Sequence, residues 1–268
     1  MCDSQCGGRM RDSELKSARE RYNYIPARLV RAGPVQKADL EWGSLRLKLD
    51  VPEAWPTKPK SGKRGYTSIA LDSFHQQLLS SDHQLDILHG LLSVVIWGFS
   101  SGADGIPRIS RALARTRWVV DGKPAMSIAP TPKSEVLRSL IECRRFLYQG
   151  QIRDALCASM KIKFLSMSFG SKVVTFLDPT QAAIYDSVIG NRLARTESLK
   201  HLYVNTNATN SERAKLVQAD AYANWSLWCS KTADKLNNSG AAKWIDWDGT
   251  EQSWRAVDVE RAFFALGR

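Results

Sequence analysis

Residues 160–195 constrain this chain more than any other stretch, because they combine apolar helical patterns with a small-residue segment and two isolated charges. The segment 168–171 (Ser-Phe-Gly-Ser) predicts a turn, since Gly170 tolerates positive φ and the serines are small. Lys172 follows it directly, and Asp186 precedes the next predicted helix. The N–H groups of such a turn and the positive end of a following helix together favour a bound phosphate.

Three lysines, Lys161, Lys163 and Lys172, surround this predicted phosphate site. A lysine and an aspartate on either side of a phosphate are suited to chemistry on a nucleotide. Each also has a simpler interpretation: a lysine after a turn is usually a solvated charge. An Asp before a helix is usually an N-cap, worth about 1 kcal/mol. Spacing alone leaves both interpretations open.

The segment resembles the helix-hairpin-helix DNA glycosylases, and most of all the bacterial branch related to 8-oxoguanine DNA glycosylase. The family hairpin has the form apolar-x-Gly-apolar-Gly-x-Lys, and residues 167–172 are Met-Ser-Phe-Gly-Ser-Lys, with Ser168 at the first glycine position. The family then has an Asp that begins a helix, similar to residues 184–188 (Ile-Tyr-Asp-Ser-Val). Residues 172–179 and 254–264 are also similar to the bacterial branch.

The helical patterns and the resemblance together imply an all-α fold with minor β at most, the helix-hairpin-helix DNA glycosylase fold. Residues 66–268 are expected to form a helical glycosylase domain with its hairpin at 161–177. Residues 1–65 are expected to form a basic N-terminal extension and linker, with 14 Lys and Arg against 8 Asp and Glu. The basic cluster within 50–66 could follow a DNA backbone, although a solvated linker is the simpler interpretation.

Site residues follow from the same resemblance. It implies Lys172 as the nucleophile and Asp186 as the essential acid. The expected DNA-contacting residues are Lys161, Lys163, Ser168, Phe169, Gly170, Ser171 and Arg192. The expected base pocket consists of Trp97, Gly98, Tyr185 and Trp225. No metal and no cofactor are expected, and the partner is double-stranded DNA that contains a modified base, bound by a monomer.

The implied activity is excision of a flipped, modified base, which leaves an abasic site, with possible strand cleavage through a lysine Schiff base. Some bacterial members of the branch act against phages with modified DNA, so the resemblance implies glucosylated hydroxymethylcytosine as the target, in anti-phage defence. Repair of 8-oxoguanine is one alternative. Another is a noncatalytic helix-hairpin-helix module, in which Asp186 is only a cap. A metal-dependent nuclease is a third, with Asp246, Asp248 and Glu251 as its close acidic group.

Composition is compatible with these expectations without proving them. The net charge of +11 favours an anionic partner. Five scattered cysteines and a polar N-terminus without a signal peptide favour free thiols in the cytoplasm. Cys2 and Cys6 could form half of a metal site, but no second pair is near. The most apolar run, 85–99, is too short to span a bilayer.

Periodicity predicts most of the remaining elements. A glycine-rich turn at 98–105 precedes a basic helix, which is expected either to contact DNA or the base, or to be a solvated face. Tyr222, Trp225 and Trp228 share one helix face, a pattern more typical of a core than of a base-stacking surface. Helices are predicted over 12–21, 67–81, 85–99, 134–149, 151–160, 161–176, 186–200, 210–235 and 257–266. Strands are predicted at 44–49 and 117–120.

Overall fold

A buried helix, α3 (Gln84–Ser100), lies among the other elements of the computed structural model. It is apolar on all sides, and Leu88, Leu91 and Leu92 have no exposed surface. A helix of this composition is stable only when neighbours cover it all round. Helices α2 (Ser68–Leu79) and α4 (Ile109–Asp121) pack against α3, and further helices and strands cover the rest of its surface. The structure describes residues 11–52, 67–100, 108–207, 211–240 and 243–266.

The described residues are mostly helical, which confirms the prediction of an all-α fold with minor β. Most predicted helices are present within a few residues of their expected ends. None of the helices in the described ranges is long and apolar enough to cross a membrane. The remaining helices are α1 (Asp12–Arg21), α5 (Lys133–Tyr148), α6 (Ile152–Ser159), α7 (Met167–Leu177), α8 (Ser187–Arg195), α9 (Glu212–Asn238) and α10 (Ala256–Leu266), with 3-10 turns at Pro124–Met126 and Glu197–Leu202.

A three-stranded antiparallel sheet covers one side of α3. Its strands are β1 (Arg28–Arg31), β2 (Leu40–Trp42) and β3 (Leu45–Asp50), in the order β1-β3-β2. Alternate residues point inward, and Leu29, Leu45 and Leu47 are fully buried. A two-stranded sheet, β4 (Trp244–Ile245) and β5 (Glu251–Gln252), lies near the C-terminal end of the chain.

The predicted strand at 44–49 is confirmed as β3, whereas the predicted strand at 117–120 is wrong. Those residues belong to α4. The buried residues of α4 are Ala112, Thr116 and Val119, which recur at helical spacing and form one inward face. A short run with β-branched residues is compatible with a strand or with a helix. Here packing against α3 stabilises the helix.

The described part of residues 1–65 packs against the helical part of the chain. Helix α1 packs on α10, and β1 packs on α3. Several predictions fall on residues outside the described ranges. These are the basic cluster Lys58, Lys60, Lys63 and Arg64, the glycines of the predicted turn at 102 and 105, and the cysteines Cys2 and Cys6.

A buried network of ion pairs joins α1, α2 and α10. Arg261 donates to both oxygens of Asp72, at 2.9 and 2.5 Å, and Arg19 donates to Asp258 at 3.0 and 3.1 Å. Arg255 donates to both aspartates. Burial by itself raises the pKa of Asp258, but the guanidinium groups of Arg255 and Arg19 lower it to about 2. The carboxylate is therefore charged and paired on both sides.

Replacing Asp258 by Asn should destabilise the protein by about 3–5 kcal/mol, because it leaves buried arginine charges without their partner. The free energy of unfolding in urea measures the effect. Asp234, which is exposed on α9, provides the matched control, and Asp234→Asn should change stability little. Equal effects of the two substitutions would contradict a structural role for the network.

Two buried histidines, His75 on α2 and His89 on α3, lie between the sheet and the helices. His75 Nε2 lies 3.0 Å from Ser93 Oγ, and His89 Nε2 lies 2.7 Å from Leu29 O. Burial lowers the pKa of His75 to about 3 and also lowers the pKa of His89. Both side chains are therefore neutral in the folded protein at physiological pH.

Stability should consequently fall as the pH drops below about 6.5, the usual histidine pKa, because the unfolded chain binds protons that the folded chain does not. The loss approaches about 1.4 kcal/mol per pH unit for each histidine and continues until the folded-state pKa is reached. Urea unfolding at a series of pH values measures it. His75→Gln should reduce the slope, whereas replacement of the exposed His83 by Gln should leave it unchanged.

Candidate active site

The hairpin predicted at 161–177 holds only one helix, α7, after the connecting residues 160–166; the helix that precedes them, α6, lies before the predicted bounds. The expected turn at 168–171 is wrong in position, because these residues form the first turn of α7. The N–H groups of Phe169 and Gly170 already donate to Ser166 O, at 3.0 and 2.8 Å. The chain reverses earlier, where Phe164 has a φ of 70°. The predicted helix over 161–176 therefore begins only at Met167.

Gly170 serves helix packing and not a positive φ. A Cβ at this position would lie 2.6 Å from Ser159 Oγ and 3.0 Å from Leu156 Cδ1 on α6. The missing side chain therefore lets α6 and α7 approach closely. From sequence, a glycine required for close approach is indistinguishable from one required for a turn.

Lys172 and Asp186 meet at the centre of the candidate site. Lys172 Nζ lies 3.6 Å from Asp186 Oδ2, and their side chains are 6% and 19% exposed. Asp186 Oδ1 accepts the N–H groups of Val188 and Ile189, at 3.0 and 3.1 Å, and so caps α8. One carboxylate oxygen therefore holds the helix, while the other faces the ammonium group.

Ser168 is the second partner of Lys172. Lys172 Nζ donates to Ser168 O at 3.2 Å and to Ser168 Oγ at 3.3 Å. These bonds fold the lysine back along α7 toward the start of the helix, where it lies above the ring of Phe169, with Nζ 5.0 Å from the centroid. The ammonium group is thus held between the first turn of α7 and the cap of α8.

Ser171 and Tyr185 fix the distance between these two helix ends. Ser171 Oγ accepts the N–H of Tyr185 at 3.1 Å, which ties α7 to the residue before Asp186. The Tyr185 hydroxyl accepts the N–H of Val204 at 2.8 Å and donates to Leu202 O at 3.0 Å. Tyr185 is fully buried and has its polar atom occupied, so the structure places it as an anchor of the site.

Trp97 and Trp225, also expected to line a base pocket, lie in the core. Trp225 has no exposed surface, its indole N–H donates to Ile184 O at 2.9 Å, and its ring stacks on Trp228. The Trp97 ring lies 4.8 Å from that of Tyr24 and is also buried. The aromatic face of α9 is therefore part of the core, as the three-residue spacing of its aromatic side chains indicated.

Gly98, the fourth expected pocket residue, lies directly behind Lys172. A Cβ at Gly98 would lie 2.6 Å from Phe169 Cε1 and 2.9 Å from Lys172 Cδ. The glycine thus makes room for the lysine side chain between α3 and α7.

A cavity of about 430 Å³ adjoins this pair of charged residues. We call it the α4 cavity. Ser168, the partner of Lys172, and Ser187, the residue after Asp186, form part of its wall. Another part of the wall is basic and aromatic, because the centroid of the Trp118 ring lies 3.7 Å from the Arg115 guanidinium carbon and 3.9 Å from Lys123 Nζ. Its lining includes Arg111, Arg115, Trp118, Phe164, Ser168 and Ser187.

Sequence reasoning identified the arginines of α4 but missed Trp118 and Phe164. Arg111, Arg115 and Trp118 lie four and three residues apart, so they share one helix face. From that spacing, the sequence could have predicted that Trp118 lies on the same helix face as these arginines. For Phe164 no signal was available, because its position depends on the left-handed backbone of the connecting residues.

A second cavity of about 510 Å³ lies beside the connecting residues 160–166, and we call it the loop cavity. The expected DNA-contacting residues Lys161 and Lys163 line it. Lys161 pairs with Glu142 at 2.6 Å, and Lys163 Nζ donates to Ala129 O at 3.0 Å. The three lysines predicted around one phosphate are therefore divided, with Lys172 in the site and the other two beside the loop.

The other expected DNA-contacting residues are also divided. Ser168 and Phe169 line the α4 cavity, whereas Gly170 and Ser171 are buried inside the protein. The Arg192 guanidinium lies 4.8 Å from the ring centroid of Phe263 on α10, and burial lowers the pKa of Arg192. Arg192 therefore packs partly against the protein itself.

Comparisons with protein-family models, with curated protein sequences and with solved structures found no match to this chain. Within the described ranges, no three His, Cys, Asp or Glu side chains come together as a metal site would require.

Gly98→Ala should destabilise the protein by about 1–3 kcal/mol, because its Cβ overlaps Phe169 and Lys172. The loss occurs although alanine favours a helix by about 1 kcal/mol. Gly190→Ala on α8 is the matched control, since its Cβ would lie 3.5 Å from Tyr185, an ordinary contact. Urea unfolding compares the two variants, and a Gly98→Ala protein as stable as Gly190→Ala would contradict the close approach.

Proposed function

We propose that this protein is a DNA N-glycosylase of the helix-hairpin-helix type, with Lys172 and Asp186 as its catalytic residues. The observation that carries the proposal is the contact between Lys172 Nζ and Asp186 Oδ2 at 3.6 Å, between the first turns of two helices and beside the α4 cavity. The substrate is double-stranded DNA that contains a modified base.

Asp186 is suited to stabilise the positive charge that develops during the reaction. Cleavage of an N-glycosidic bond develops positive charge on the sugar, which a fixed carboxylate stabilises. Because Oδ1 is held by two N–H groups of α8, Oδ2 is oriented before substrate binds. An oriented carboxylate needs little reorganisation during the reaction.

Lys172 is suited to act as the nucleophile of the reaction. An uncharged amine attacks C1′, so that the Nζ–C1′ bond forms and the bond from C1′ to the base breaks, with its electron pair leaving on the base. Asp186 Oδ2, 3.6 Å from Nζ, accepts the proton that the ammonium group must first lose. The sugar then opens to a Schiff base, from which strand cleavage follows. If water attacks instead, the product is an intact abasic site.

The start of α7 suits a DNA phosphate. The first amides of a helix have no partner within it and carry the positive end of its dipole. Here Ser166 and Ser168 lie at that start and line the α4 cavity. Lys123 lines both cavities and adds a positive charge. The phosphate site thus lies at the start of α7, a few residues before the position that the sequence predicted.

The α4 cavity suits an extruded base. Its volume lies within the range of small-molecule pockets, about 300–1000 Å³. Trp118 and Phe164 offer ring faces for stacking, and Arg111, Arg115 and Asn207 offer hydrogen-bonding groups for polar substituents. A polar cavity of this size favours a bulky base such as glucosylated hydroxymethylcytosine, in defence against phages, with 8-oxoguanine as the alternative substrate.

Asp186→Asn separates catalysis from capping, because asparagine caps a helix as well as aspartate but has no charge. The assay uses labelled duplexes with glucosylated hydroxymethylcytosine, 8-oxoguanine or unmodified bases, with and without EDTA, followed by hot alkali. We expect alkali-dependent cleavage at one modified base, reduced at least about 100-fold in Asp186→Asn. Cleavage before alkali that disappears in Lys172→Ala identifies the lyase step.

The alternatives give different results in the same assay. A noncatalytic DNA-binding module binds every duplex, releases no base and is unaffected by Asp186→Asn. A nuclease cuts before alkali only when divalent metal is present. Lys231→Ala is the matched control for Lys172→Ala, since Lys231 is exposed on α9 and belongs to none of the expected sites, and it should retain base release.

A further inference from the structure

The α4 cavity and the loop cavity adjoin each other at the start of α7. Lys123, Phe164, Ser166 and Thr206 belong to the walls of both. The reaction proposed above places one base in the α4 cavity and leaves the loop cavity without a ligand. At about 510 Å³, the loop cavity is also large enough to hold a small molecule or a base.

Both cavities are basic. Their described lining includes six Lys and Arg side chains and no Asp or Glu. Lys161 and Lys215 pair with glutamates that lie outside the lining. Arg111, Arg115 and Lys123 have no carboxylate partner among the described residues. Unpaired cations that line a cavity favour an anionic ligand.

Phe164 lies at the boundary of the two cavities and has a strained backbone. Its φ of 70° is in the left-handed region, which bulky residues rarely adopt. Residues in such conformations persist only where the surrounding structure holds them, and they cluster at ligand sites. The Phe164 ring centroid lies 6.1 Å from that of Trp118 and 5.3 Å from Lys123 Nζ. Aromatic rings and a cation thus meet where the cavities adjoin.

These features fit an unpaired strand of nucleic acid better than a duplex. In a duplex the bases stack on one another, so a base can stack on a protein ring only after extrusion. Proteins that bind single strands combine a basic groove with aromatic side chains on which successive bases stack. Two basic cavities that share one aromatic ring offer places for two successive bases.

We propose that the α4 cavity and the loop cavity together bind a single-stranded segment of nucleic acid, with Phe164 between two successive bases. Lys123, which lines both cavities, contacts the phosphate that joins the two nucleotides. Arg111 and Arg115 contact the phosphate on the far side of the α4 cavity. A duplex substrate must therefore separate over both nucleotides, and not only at the extruded base.

Removal of the base in the α4 cavity rests on the proposed function, but binding of a single strand does not. Binding can be measured with unmodified DNA, from which no base is released. The probes are fluorescently labelled oligothymidylate of about 12 nucleotides, which does not pair with itself, and an unmodified duplex of the same length. Fluorescence anisotropy of the full chain with each probe gives the two affinities. Oligothymidylate should bind at least about 10-fold more tightly than the duplex.

Phe164→Gly tests the shared ring. Glycine adopts a φ of 70° without strain, so the variant removes the ring and keeps the backbone. Its affinity for oligothymidylate should fall at least about 5-fold, as expected when a stacked base loses its aromatic partner. Trp118→Leu, a second ring variant, should act in the same direction. Tyr148→Ala, the matched control, removes an exposed ring of α5 that lines neither cavity and should change nothing.

Lys123→Gln tests the shared phosphate contact. Each phosphate contact on a single strand contributes about 0.7 to the slope of log affinity against log salt concentration. The variant should reduce that slope by about this amount. Arg117→Gln is the matched control, because Arg117 also lies on α4 but donates to Asp39 O and lines neither cavity.

A duplex that binds as tightly as oligothymidylate would overturn the proposal. So would an affinity for oligothymidylate that Phe164→Gly and Trp118→Leu both leave unchanged. Base release from a modified duplex by a protein without preference for the single strand would reject this proposal and keep the glycosylase function. Selective binding of the single strand without base release from any duplex would support this proposal and reject the glycosylase function.

Discussion

The ion pairs of Arg261 with Asp72 and of Arg19 with Asp258 hold the last helix of the chain in place. These groups are almost fully buried, so each charge depends on its partner and the partners accept little displacement. They fix α10 against α1 and α2. Because α10 also carries Phe263, whose ring packs against the Arg192 guanidinium of α8, the network supports the helix that Asp186 caps. Residues 11–21 therefore contribute to that site although they lie far from it in sequence.

The site itself depends on the ends of two helices. Asp186 caps α8 with one oxygen and faces Lys172 with the other, while Ser168 in the first turn of α7 holds the ammonium group. Helix ends are suited to this because their free N–H groups orient anions without further side chains. Ser171 and Tyr185 then link the two ends, so the distance between lysine and aspartate follows from the packing of α7 against the residues before α8.

The α4 cavity lies beside this pair of charged residues. Ser168 and Ser187 belong both to its wall and to the immediate surroundings of Lys172 and Asp186, so a group bound there lies close to these two charged side chains. Its lining also combines Trp118 with Arg115 and Lys123, an arrangement that offers a stacking surface and positive charge together. In the proposed glycosylase, the base and its sugar would both lie in or beside this cavity.

The sequence by itself determined most helices, because apolar spacing is a local property and α3, α5 and α9 follow it closely. It also singled out Lys172 and Asp186 through their resemblance to a family motif, and the fold brings them within 3.6 Å. Other features needed the tertiary structure. Gly170 was misinterpreted because close helix contact and positive φ both require glycine, and only the neighbouring Ser159 distinguishes them. Phe164 gave no signal, since its place in the wall of the α4 cavity depends on the left-handed backbone of the residues that connect α6 and α7.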